Sequence, residues 1–207
     1  RNYSYGADFL YDPKERNLDA LMNCDLAKMG AVTPNVYHGC VSRAYLEKVA
    51  PEPTVFFDSS IPDVNFEYRS TLTGAKFVHA EHPFTINGYS PVSTGGAHHA
   101  ERSDKEGGKA GRAFTSENKV DPVNDLFEHA LTVPMAFFST LETVIDRMGF
   151  AEKSPNYEKW YQYGLSAEPS NLEARAKIET ILSEYAKRSG TVQSLEAALS
   201  AAVRPKR

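Results

Sequence analysis

Four of the six histidines fall in two close pairs, each beside a carboxylate. His79 and His82 flank Glu81, and His98 and His99 lie two or three residues before Glu101. Imidazole and carboxylate together suit zinc or iron, and they also suit acid-base chemistry. The spacing works against a metal. Pro83 keeps the first pair in strand or loop rather than on one face of a helix, and the adjacent His98 and His99 project in different directions in most backbone conformations. The four are therefore read as solvated or hydrogen-bonded histidines, weak candidates as metal ligands, and no cofactor is expected.

Nucleophiles give little more. Cys24 and Cys40 are the only cysteines, too few for a disulfide framework and without a CxxC or metal spacing, so they are expected to behave as small apolar side chains. Cys40 stands near His38, but working Cys–His pairs are usually assembled from distant segments. No serine lies in a GxSxG elbow. The run Gly107-Gly108-Lys109-Ala110-Gly111-Arg112 has the glycines and lysine of a phosphate cradle without the GxxxxGK[ST] order, and no apolar strand precedes it. It reads as a solvated loop.

The aromatic cluster Tyr157, Trp160, Tyr161 and Tyr163 covers more than one face of a short helix. Trp160 is expected in the core, with Tyr161 or Tyr163 turned toward a partner, because Tyr and Trp are favoured at interface hot spots. The basic tail Arg204, Lys206 and Arg207 is a second candidate partner contact.

These residues need elements to hold them. Asp12-Pro13-Lys14-Glu15 supplies an N-cap, a proline at the first helical position and a carboxylate at N3, and predicts a helix running to Gly30. Ser42 to Val49 predicts a shorter one packed on it. From Pro51 to Asp121 the helical period disappears. The runs Thr54–Phe57, Asn65–Arg69 and Lys76–His79 then read as short strands, making one small antiparallel sheet or hairpin. Ser93 to Ala113 has hardly a large apolar residue and cannot build a core, so a functional loop or an arm is expected there.

Helical order is expected to resume at Asp121-Pro122 and run to Gly149 with a kink or break at Pro134. A further helix should start at Ser154-Pro155 and close at Gly164. A third should open with the capping box Ser170-Asn171-Leu172-Glu173 and end at Gly190, and a last one should follow Thr191 as the second arm of an αα-hairpin. The predicted class is α+β, mainly α: N-terminal helices over 1–50, a short broken β region over 51–86, a long polar loop or arm over 87–120, and a C-terminal helical bundle over 121–207. At 207 residues the whole is expected to be a single domain.

Composition narrows the function. With 23 Lys plus Arg against 27 Asp plus Glu, the net charge of −4 argues against nucleic acid as a partner. Leu131 to Ile145, the strongest apolar stretch, is interrupted by Pro134 and Glu142 and falls short of a membrane span, so a soluble globular protein is expected. Arg1-Asn2-Tyr3-Ser4 resembles the Arg-x-Tyr-Ser junction around mitochondrial presequence cleavage sites. The reading that follows is a structural or accessory subunit of a larger assembly. A mitochondrial respiratory or ATP synthase complex is the expected assembly, with other protein subunits as partners and a place peripheral to the membrane. Two alternatives are an enzyme using the loop histidines, as a metal-dependent or acid-base hydrolase, and a viral or other coat subunit.

Overall fold

The computed structural model describes residues 6–30, 32–50, 52, 56, 61–82, 132–166 and 172–202. These form eight helices and one two-stranded sheet. Arg1–Ser4, Thr54–Val55, Phe57, Ser93–Ala113, Asp121-Pro122, Ser170-Asn171 and the basic tail lie outside them.

The sheet is antiparallel, with β1 (Phe9–Tyr11) paired to β2 (Phe77–His79) in the register Phe9 to His79, Leu10 to Val78 and Tyr11 to Phe77. Lys76–His79 thus contains a strand as expected, but its partner is the N-terminal segment and not a local hairpin neighbour. Alternation sorts the side chains. Phe9, Tyr11, Phe77 and His79 are half-buried on one face, whereas Leu10 and Val78 are 68% and 63% exposed on the other.

Helix α1 (Pro13–Met22) starts as its sequence predicts, with the Asp12 carboxylate accepting from the Lys14 N–H at 2.8 Å and Pro13 in the first turn. It ends earlier. Cys24 takes a left-handed φ of 53°, the Asp25 N–H donates to the Ala20 carbonyl at 2.8 Å, and the Cys24 N–H donates to the Leu21 carbonyl at 3.1 Å. That is a Schellman stop with cysteine where glycine is usual, and a separate short helix, α2 (Leu26–Met29), follows it. Helix α3 (Arg43–Val49) has the expected cap, Ser42, accepting from the Tyr45 N–H at 3.2 Å. It packs against α4.

Asn65–Arg69 is a correction. The segment is not a strand but the middle of helix α4 (Pro62–Thr73), which opens on Pro62 and Asp63 and stops at Gly74, φ 78°. The alternating Phe66 and Tyr68 imitated a strand because α4 is enclosed on nearly every side. Val64 to Phe66 and Tyr68 to Leu72 are all buried, so no solvent face imposes the helical period.

Helix α5 (Val133–Arg147) is capped by Thr132 in an extended conformation, so Pro134 sits in the first turn of a helix that begins there. Helix α6 (Tyr157–Leu165) is capped by Asn156 rather than Ser154, and the Asn156 N–H donates at 2.7 Å to the Met22 carbonyl at the end of α1. Gly164 does not end α6. It lies inside the helix, where a Cβ would come within 3.1 Å of Met135 Sδ, so glycine lets α6 approach α5 closely. Helices α7 (Leu172–Ser189) and α8 (Val192–Ala202) form the expected hairpin around Gly190, φ 71°, and α8 lies chiefly against α6.

One apolar cluster joins these elements, from Ala20 and Leu21 through Tyr68, Leu72, Phe138, Leu141 and Trp160 to Ile178, Leu182, Leu195 and Ala198. Ile181 lies at the rim, while Ile178 is fully buried. Ile178→Ala should therefore cost about 2–5 kcal/mol in a urea titration and Ile181→Ala about 1 kcal/mol. Equal losses would contradict this placement.

Candidate functional site

Of the four candidate histidines, the structure describes His79 and His82. His79 is half-buried on β2, stacks against Phe9 with ring centres 5.1 Å apart, and holds its Nε2 3.5 Å from a Glu81 oxygen. His82 is exposed beyond the strand, and His98 and His99 lie outside the described residues. Among the described residues no three His, Cys, Asp or Glu side chains converge as a metal site would require. Cys24 is part-buried, and burial pushes its thiol up to about 12, which leaves it protonated and unreactive at neutral pH. Cys40 is exposed.

The aromatic helix α6 corrects a second expectation. Tyr161 does not face a partner: it is fully buried and its hydroxyl is hydrogen-bonded to Thr191 at the start of α8. Tyr163 is half-buried against Trp160 and Phe137, with ring centres 6.0 and 6.4 Å away. Trp160 lies in the core as expected, donating its indole N–H to the Leu21 carbonyl at 3.1 Å. Arg204, Lys206 and Arg207 lie outside the described residues.

Two polar constellations were not anticipated. On α5, Glu142 is only 8% exposed, and one of its oxygens, Oε2, accepts from the Tyr157 hydroxyl of α6 at 3.3 Å and from the Tyr185 hydroxyl of α7. Its other oxygen is buried and has no hydrogen-bond partner among the described residues. Burial raises the Glu142 carboxyl above its ordinary range, the two hydroxyls oppose that rise, and Asp146 adds to it. Tyr157 in turn is pushed up to about 12 by burial and by the Glu142 charge. On α4, burial and then the like charge of Asp63 raise Glu67 from 4.5 to about 7, against a lowering hydrogen bond from Thr33. Burial first and the Glu67 charge second push neighbouring Tyr11 up to about 12.

Comparison of the chain with protein-family models, with curated proteins and with solved structures finds no match. Function must then be argued from the residues themselves.

Glu142 was legible in one respect: it is the single charge within the apolar stretch Leu131 to Ile145, and a lone carboxylate there must either break the helix face or find donors inside. Its donors come from 15 and 43 residues away and carry no sequence signal. Chemically the cluster favours the protonated form of Glu142 more than water would, since burial outweighs the two hydroxyls. Glu67 is part-exposed and changes charge near neutrality.

The described surface that stands out for recognition is the outer face of the β1–β2 ribbon. Leu10 and Val78 lie directly opposite each other there, among four large hydrophobic residues that stay exposed, the others being Tyr37 and Val192. Scattered apolar side chains are ordinary on a surface, whereas a cross-strand pair places two in one patch.

Proposed function

We propose that this protein is a structural or accessory subunit of a larger protein assembly, docking on other chains through the outer face of its β1–β2 ribbon. The supporting observation is the paired exposure of Leu10 and Val78, 68% and 63%, on a sheet whose other face is packed with aromatic rings. That packing fixes the ribbon in place, so a partner covering it would lose little ordering entropy. Sheet ribbons are also a recurrent mode of protein recognition, in which alternate side chains supply specificity.

Native mass spectrometry of the protein purified from its source tests the proposal. The chain should appear in complexes with other chains at fixed stoichiometry, and as a free species only after those complexes are disrupted. A chain found only free would refute it.

A further inference from the structure

We propose that Glu142, Tyr157 and Tyr185 form a proton-operated clasp that fastens α7, and with it the α7–α8 hairpin, onto α5 and α6. The three side chains come from three helices, and a single carboxyl oxygen, Oε2, takes both hydroxyls. Through Glu142, α5 bonds both α6 and α7. The other oxygen, Oε1, is buried and has no hydrogen-bond partner among the described residues, which is the asymmetry that makes the clasp sensitive to protons.

In the neutral acid, Oε2 accepts the two hydroxyls and Oε1 carries the proton. An unpaired hydroxyl at a buried position costs far less than an unpaired anionic oxygen. Once the proton leaves, charge spreads onto Oε1, where no described residue donates to it. Water can then solvate that oxygen only if the helices separate.

The groups acting on Glu142 are Tyr157 on α6, Tyr185 on α7 and Asp146 on its own helix. Tyr161 of α6 also feels the Glu142 charge. Helix α4, which packs on α5 from another side, carries Asp63, Glu67 and Arg69, but none of these is among the groups acting on Glu142. On α8 the acid Glu196 is exposed. Asp146 disfavours a second negative charge beside it, and burial acts in the same direction. The folded carboxyl therefore holds its proton more tightly than the unfolded one. Its stabilising contribution is complete in acid and is lost as pH rises through the raised value.

Hydrogen exchange of the full chain tests the clasp, with rates corrected for the intrinsic pH dependence of amide exchange. With Glu67 replaced by Gln in every protein compared, so that its own titration is removed, protection of the peptide covering Ile178 to Ser189 should fall by about tenfold as pH rises through the raised Glu142 value, while that of α1 should stay constant. In Glu142→Gln the α7 peptide should lose this pH dependence. Identical pH dependence in the two proteins would overturn the proposal, and so would a fall shared equally by α1 and α7. Should Glu142→Gln not fold, Tyr185→Phe provides the second arm. The infrared carbonyl band of the protonated carboxyl should then persist to higher pH than in the parent protein, because one hydroxyl that favours the charged form is gone. A band that titrates unchanged would refute the clasp.

Discussion

Replacing Trp160 by Ala is expected to remove about 3–5 kcal/mol of stability, a large share of the roughly 5–15 kcal/mol available to a domain. The indole is fully buried and lies parallel to Phe138 with ring centres 5.6 Å apart and planes 16° apart. Tyr68 meets it edge-on at 6.4 Å, and its N–H reaches the Leu21 carbonyl. The side chain thus joins α1, α4, α5 and α6, and no neighbour is flexible enough to fill the space it would vacate. Tyr161→Ala should approach the same loss. Tyr161→Phe should cost only about 1 kcal/mol, the worth of the hydroxyl bond to Thr191. Urea denaturation of the three variants checks both statements. A Tyr161→Ala protein as stable as the parent would show that the ring faces outward after all.

Stability should also fall as pH rises across the neutral range, and Glu67→Gln should abolish much of that fall. Glu67 is raised from 4.5 to about 7 in the folded chain, so the folded state binds this proton more tightly than the unfolded state does. The contribution is complete below 4.5, declines between 4.5 and about 7, and is gone above about 7. The interval is worth about 3 kcal/mol at most, and the part-exposure of Glu67 reduces this to about 1–2 kcal/mol. Gln keeps the shape and still accepts from Thr33, but never carries charge. The variant should match the parent near pH 4.5 and exceed it in stability near pH 8, as read from thermal melts at the two pH values. A parent protein that is more stable at the higher pH, by a margin the variant shares, would contradict this account of Glu67.

The difference between what could be read from sequence and what could not follows from distance along the chain. Asp12-Pro13, Ser42 and Thr191 preceded helices as local chemistry predicts, because a cap is satisfied within three residues. Cys24 as a Schellman stop was hidden, since the left-handed position usually falls to glycine and the chain offered Gly30 six residues later. Asn65–Arg69 was misread because a helix buried on nearly every side has no polar face to reveal its period.

The strand partner of β2 and the donors to Glu142 were invisible for the same reason. Phe9–Tyr11 reaches its partner across 68 residues, and nothing in a three-residue strand specifies which segment it will meet. Tyr161 and Tyr163 could not be told apart by residue type. The close approach of α6 to α5 at Gly164, with the hydroxyl bond to Thr191, places Tyr161 inside.

The claim that the ribbon is a docking surface is tested most directly by charging it without weakening it. In the double variant Leu10→Lys with Val78→Glu, the opposite charges face each other across the strand pair, an arrangement that supports the sheet while making its outer face polar. The melting temperature should stay within about 2 °C of the parent. In native mass spectrometry of the two proteins recovered from the source organism, the parent should carry its partners at fixed stoichiometry and the variant should appear as a free chain. A variant that retains the same partners in the same proportions would contradict the proposal that Leu10 and Val78 are where this protein is held.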